Sequence, residues 1–238
     1  YSHEYGRHIL ENFTDGQVRT LSYENVRTDG EVDQAVEDAV RRGANVIFTT
    51  TPKLLLSSVR QAALHPDVKI LNCSLNTSYP SVRTYYPRLY GAKFIKGAIA
   101  GTLTRDGCIG YVADYPTYGS IASINAFAQG ARMVNANARI YLDWAHLRDG
   151  GAVGRLQAQG IVYIDYLDRL AASTGTQMGN RHNLALIQTH WGRLYQSLVR
   201  RVMEGSWKQE DQGSSAVNYW WGMEQGVVSV LCSRRLPT

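Results

Sequence analysis

Short apolar runs alternate along this chain with stretches whose apolar positions recur every three or four residues. Val46-Ile47-Phe48 is a β-branched and aromatic run closed by Thr49-Thr50-Thr51-Pro52. Leu55, Val59 and Ala62 then recur at helical spacing up to His65-Pro66, where proline stops a helix. Val68 to Leu71 predicts the next strand, closed by Asn72-Cys73-Ser74. A longer helix follows from about Arg88, with Ala92, Ile95, Ile99 and Leu103 on its buried face and Gly107 at its end.

The alternation then repeats. Cys108 to Ala113 predicts a strand ending at Asp114-Tyr115-Pro116, and Ile121, Ile124, Ala128 and Ala131 mark the face of a helix. Strands are expected over Arg139–Leu142, Ile161–Ile164, Asn183–Gln188 and Val227–Leu231. Helices are expected over Ala152–Gln159 and through Leu194, Leu198 and Val202 to Gly205. Strands alternating with helices of this length predict an α/β fold of parallel sheets built from βαβ units. Apolar strands without clean alternation fit sheets covered on both faces. The break at Arg105-Asp106-Gly107 divides the chain into similar halves. The expected lobes are 1–107, joined by 190–212, and 108–189, joined by 213–238. Ligands of open parallel sheets bind outside the carboxyl ends of the strands, and two sheets facing across a hinge form a closing trap.

Composition narrows the function classes. With 44% hydrophobic and 19% charged residues in 238, the chain has the make-up of a folded globular protein. The net charge of +5 is scattered in pairs such as Arg41-Arg42 and Arg200-Arg201, with no run that reads as a nucleic-acid arm. Three widely spaced cysteines, Cys73, Cys108 and Cys232, give neither a zinc pattern nor a disulfide framework. The histidines lack ligand spacing, so no metal and no cofactor is expected. No apolar stretch is long enough to span a membrane. Neither Gly-x-Ser-x-Gly nor a phosphate loop is present, and no nucleophile or acid–base pair stands out, so no enzymatic activity is expected.

The candidate binding residues sit at predicted strand ends. Thr50 and Thr51 either donate to a ligand or cap the following helix. Asn72 and Ser74 either contact ligand or close a loop. Asp114 is placed to accept hydrogen bonds from hydroxyl or amine groups of a ligand, or else to serve as a helix cap or hinge contact. Tyr115 and Tyr118 are either stacking residues or surface aromatics, and Trp191 either stacks on a ligand or packs a domain.

Several motifs together resemble a known family. They are Val46 to Pro52, Val68 to Ser74, Arg83-Thr84-Tyr85-Tyr86, Ala92-Lys93-Phe94 with Gly97 and Gly101, and Ile109 to Asp114. Asn125-Ala126-Phe127, Gly130-Ala131, His190-Trp191-Gly192 and Asn218 to Met223 continue the match. The pattern resembles the basic membrane protein family of ABC-transporter substrate-binding proteins. The resemblance implies a type I periplasmic-binding-protein fold, two Rossmann-like lobes, and capture of a nucleoside-like ligand between them for an ABC permease. It implies a lipoprotein on the extracytoplasmic face of the plasma membrane. The alternatives are a ligand-sensing domain of a regulatory protein, then cytoplasmic, and, further off, a nucleoside-processing enzyme. Two departures stand out. Ser2 to Arg7 already matches the family's first helix, so the strand before it is expected ahead of Tyr1, with Val18–Tyr23 as the next strand. The family's ribose-binding Gly-Val-Asp-Ser-Asp-Gln-like segment has no counterpart; Asn183 to Trp191 occupies its region.

Overall fold

The computed structural model describes residues 2–75, 79–114, 118–145, 151–166, 183–207 and 216–236. The chain divides into two compact units: Tyr1–Pro87 with His190–Val227, and Arg88–Thr189 with Val228–Thr238.

Unit 1 is built on a four-stranded parallel sheet in the order β1-β2-β3-β8, from Val46–Thr49, Lys69–Cys73, Arg83–Pro87 and Asn218–Trp221. Its helices are α1 (Ser2–Phe13), α2 (Asp29–Arg41), α3 (Leu55–Leu64) and α7 (Trp191–Met203). Ala62, Ile70 and Val82 form one core cluster, with Ile47, Leu55 and Val59 packed against it. Val32, Val36 and Leu54 form a second. On another side, Phe48, Tyr85, Trp191 and Tyr195 pack edge-to-face and tilted.

Strand β3 escapes a reading based on apolar runs because it opens on Arg83. That guanidinium is buried, lies 3.5 Å from the centroid of the Trp207 ring, and donates to the Trp207 carbonyl at 2.8 Å. The aromatic face and the carbonyl make burial of the charge tolerable. Helix α2 begins with a capping box in which Thr28 and Glu31 satisfy each other's backbone donors.

The strand expected over Val18–Tyr23 does not form. Among the described residues β1 pairs with β2 alone, so 18–23 has no ladder to join. The segment is tied to α1 by side chains instead: Arg7 donates to Thr20 Oγ1, and Ser22 Oγ donates to Glu4 at 3.0 Å.

Unit 2 carries a three-stranded parallel sheet in the order β5-β4-β6, from Arg139–Trp144, Cys108–Ala113 and Tyr163–Asp165. A second pair, β7 (Ala185–Thr189) with β9 (Val228–Cys232), is antiparallel, a departure from the all-parallel expectation. Helices α4 (Tyr90–Leu103), α5 (Tyr118–Val134) and α6 (Ala152–Ala158) complete the unit. Ile109, Tyr111, Phe127 and Ala131 form one core cluster, and Val112, Ala152, Leu156 and Ile161 another.

The unit boundary falls after Pro87, earlier than the break at 107, because α4 packs on α5. A β-carbon on Gly97 would stand 2.0 Å from the Phe127 carbonyl oxygen, and one on Gly130 would stand 1.9 Å from the Phe94 carbonyl oxygen. Reciprocal glycines let the two backbones touch, and such close packing belongs to a domain interior.

Candidate functional site

In unit 1 the carboxyl ends of β1 and β2 bring Thr49, Thr51, Asn72 and Ser74 together, while Thr50 points into solvent. Thr49 and Asn72 are register partners and both are buried. The Asn72 amide nitrogen donates to Thr49 Oγ1 at 2.8 Å and to the Thr51 carbonyl at 3.0 Å. Thr49 Oγ1 lies 2.9 Å from Ser58 Oγ, and Ser58 Oγ donates to the Leu54 carbonyl at 2.7 Å. The Thr51 hydroxyl accepts from the Lys53 amide at 3.4 Å, which is the helix-capping alternative for this residue. Strand β2 ends where the Ser74 amide turns back onto the Asn72 carbonyl at 3.0 Å. Asn72 Oδ1 and Ser74 Oγ are buried and have no hydrogen-bond partner among the described residues.

Buried polar atoms are ordinarily satisfied, and an open acceptor costs about 1–3 kcal/mol. Two of them at the carboxyl end of one strand of an open parallel sheet stand where such sheets bind ligands.

In unit 2, Asp114 follows β4 directly and is half-buried. Tyr115 lies outside the described residues; Tyr118 opens α5, and its side chain lies outside the description. Nearby in the sheet, at the end of β6, a buried carboxylate takes two cations that sequence reading passed over. Lys93 and Lys96 of α4 approach the two oxygens of Asp165 at 2.7 and 2.5 Å. The two ammonium groups hold the Asp165 carboxyl below its ordinary range, against the opposing effect of its own burial. Lys93 Nζ also lies 5.2 Å from the centroid of the Tyr111 ring. The available signal was two lysines at i and i+3 among apolar residues of α4, a spacing that puts both on one face.

Trp191 is the first residue of α7 and only 8% exposed. Its ring centroid lies 3.9 Å from that of His3 and 6.0 Å from that of Tyr85. Its surroundings support the packing alternative, with the indole enclosed inside unit 1. Among the described residues no group of three His, Cys, Asp or Glu stands close enough to hold a metal ion.

A family model described as "ABC transporter substrate-binding protein PnrA-like" matches residues 2–175. The chain belongs to this family of substrate-binding proteins. A purine-binding protein of Brucella abortus is 25% identical over 258 residues, covering 100% of this chain and 72% of that protein. Among solved structures, a transcriptional activator of the comK gene from Bacillus halodurans superposes with a TM-score of 0.72 at 18% identity, covering 99% of this chain and 87% of that one. A solute-binding protein of an ABC transporter system from Conexibacter woesei superposes with a TM-score of 0.71 at 13% identity, covering 98% and 85%. At these identities the two structures speak to the fold, which is that of type I periplasmic-binding proteins. Members of the PnrA-like family bind substrates and do not transform them. No helix among the described residues is long and apolar enough to cross a membrane.

Proposed function

We propose that the protein captures a small polar ligand, a purine base or nucleoside, and delivers it to an ABC permease on the extracytoplasmic side of a membrane. Family membership over 2–175 supports substrate binding as the activity. The observation that carries the polar character of the ligand is the pair of buried, partnerless atoms at the end of β2. The purine class is supported by the similarity of the whole chain to the Brucella purine-binding protein. In this reading Asn72 and Ser74 are the ligand contacts of unit 1, with Thr50 and Thr51 shaping the loop beside them, and Asp114 is the candidate contact of unit 2. Trp191 stays with the core.

Isothermal titration of the purified protein with adenine, hypoxanthine, adenosine and inosine tests the proposal. At least one is expected to bind in the micromolar range or tighter, equivalent to about −8 kcal/mol. Chromatography of the mixture is expected to return that compound unchanged. No heat from any of the four would refute the purine reading, and release of free base or ribose would refute a binding role.

A further inference from the structure

The two partnerless atoms at the end of β2 differ in what they can accept and donate, and the hydrogen-bond network around them fixes the difference. The Thr51 carbonyl can only accept, so the Asn72 amide must present its nitrogen to it. The reversed amide would set two carbonyl oxygens 3.0 Å apart. Both hydrogens of that nitrogen are then spent, one on Thr51 and one on Thr49. What Asn72 keeps open is Oδ1, an acceptor only. Three neighbours hold it: Thr49 and Thr51 directly, and Ser58 through Thr49. All three are neutral. Ser74 Oγ lies two residues on, its α-carbon within about 7 Å by chain geometry. As a hydroxyl it both donates and accepts.

We infer that Asn72 and Ser74 form a neutral hydrogen-bonding station for a ligand that brings an N–H or O–H hydrogen to Asn72 Oδ1. The station rests on the binding role proposed above and specifies the chemistry accepted at this end of the site. An amino, imino or hydroxyl hydrogen fits. An ionised carboxylate or sulfate oxygen, which carries no hydrogen, would meet Oδ1 oxygen to oxygen with no cation among the groups that hold it. The arrangement also separates stability from binding. Ser74 Oγ makes no hydrogen bond among the described residues, so removing it breaks none of their bonds, whereas it removes a partner for the ligand.

The test compares wild-type protein with Ser74→Ala and Asn72→Ala. The probes are adenine, adenosine, hypoxanthine and inosine, then glucose and myo-inositol as donor-bearing non-purines, and succinate and sulfate at neutral pH as acceptor-only anions. The expected result is that Ser74→Ala melts at or above the wild-type temperature without ligand, yet binds the preferred donor-bearing probe at least tenfold more weakly. Asn72→Ala, if folded by circular dichroism, should lose still more. If purines fail but glucose or myo-inositol binds with the same dependence on Ser74, the purine reading falls and the station stands. Unchanged affinity in Ser74→Ala, or tight binding of succinate or sulfate that either variant weakens, would overturn it. Silence of the wild type toward the whole panel would count against both readings.

Discussion

Replacing Gly97 by alanine tests the contact that assigns α4 to unit 2. The new β-carbon would sit 2.0 Å from the Phe127 carbonyl oxygen and 2.8 Å from its carbon. Ordinary contact begins at 3.4 Å, so the shortfall is 1.4 Å (3.4 − 2.0). The obstacle is main chain inside α5 and cannot swing aside as a side chain would. The helices must move apart by about an ångström, loosening Phe127 and Ala131, which are 1% and 0% exposed. Overpacking of this kind costs about 3 kcal/mol at the upper end of its usual range, and the gain in helix propensity from glycine to alanine returns about 1. The expected net loss is about 2 kcal/mol, or roughly 4–8 °C in melting temperature for a chain of this size. Gly154 is the control: it lies in α6, and a β-carbon there meets nothing within 4 Å. Gly154→Ala should gain up to about 1 kcal/mol. Urea titration followed by far-ultraviolet circular dichroism reads both. Tryptophan fluorescence adds resolution, because Trp191, Trp207, Trp220 and Trp221 belong to unit 1 and Trp144 to unit 2. A Gly97→Ala variant within about 0.5 kcal/mol of wild type at an unchanged denaturant slope would refute the close crossing of α4 and α5.

Two further outcomes are expected. Asp114→Ala should weaken binding of the preferred ligand by tenfold or more, about 1.5–3 kcal/mol for a lost charge-assisted hydrogen bond, as read by calorimetry; unchanged affinity in a folded variant would move Asp114 to a structural role. Burial pushes the His3 imidazole down to about 4, where its Nδ1 lies 2.5 Å from the Tyr195 hydroxyl. The unfolded chain, titrating near 6.5, therefore binds the proton more readily, so this contribution is intact above about pH 6.5 and fades as pH falls toward 4. Melting curves from pH 7 to 4 should show that decline in wild type and a shallower one in His3→Gln; identical slopes would remove His3 as its source.

The linear sequence determined the alternation of strands and helices, because burial on both sheet faces demands apolar runs and burial of one helix face demands three- and four-residue spacing. Strands β1, β2 and β4 and helices α4 and α5 were legible on that ground alone. Strand β3 was not, since burying Arg83 requires the Trp207 ring and carbonyl, which arrive from more than a hundred residues away. Strand β8 was hidden in the same way, as Asn-Tyr-Trp-Trp becomes a strand only by pairing with β3. Helix α2 did leave a local signal, the Thr28–Glu31 capping box, that hydrophobic runs do not register. The site divides similarly. Polar residues at strand ends could be read from the chain, since a strand's end is a local property. Which of their atoms remain open is not local. Thr51 turns inward to cap and to accept, Asn72 spends both its amide hydrogens, and Trp191 packs against His3 because of where α1 and α7 lie. The paired lysines on Asp165 likewise depend on α4 crossing the end of β6. Hydrogen-bond satisfaction sums over every neighbour a fold supplies, so the tertiary structure alone decided which acceptor was left for a ligand.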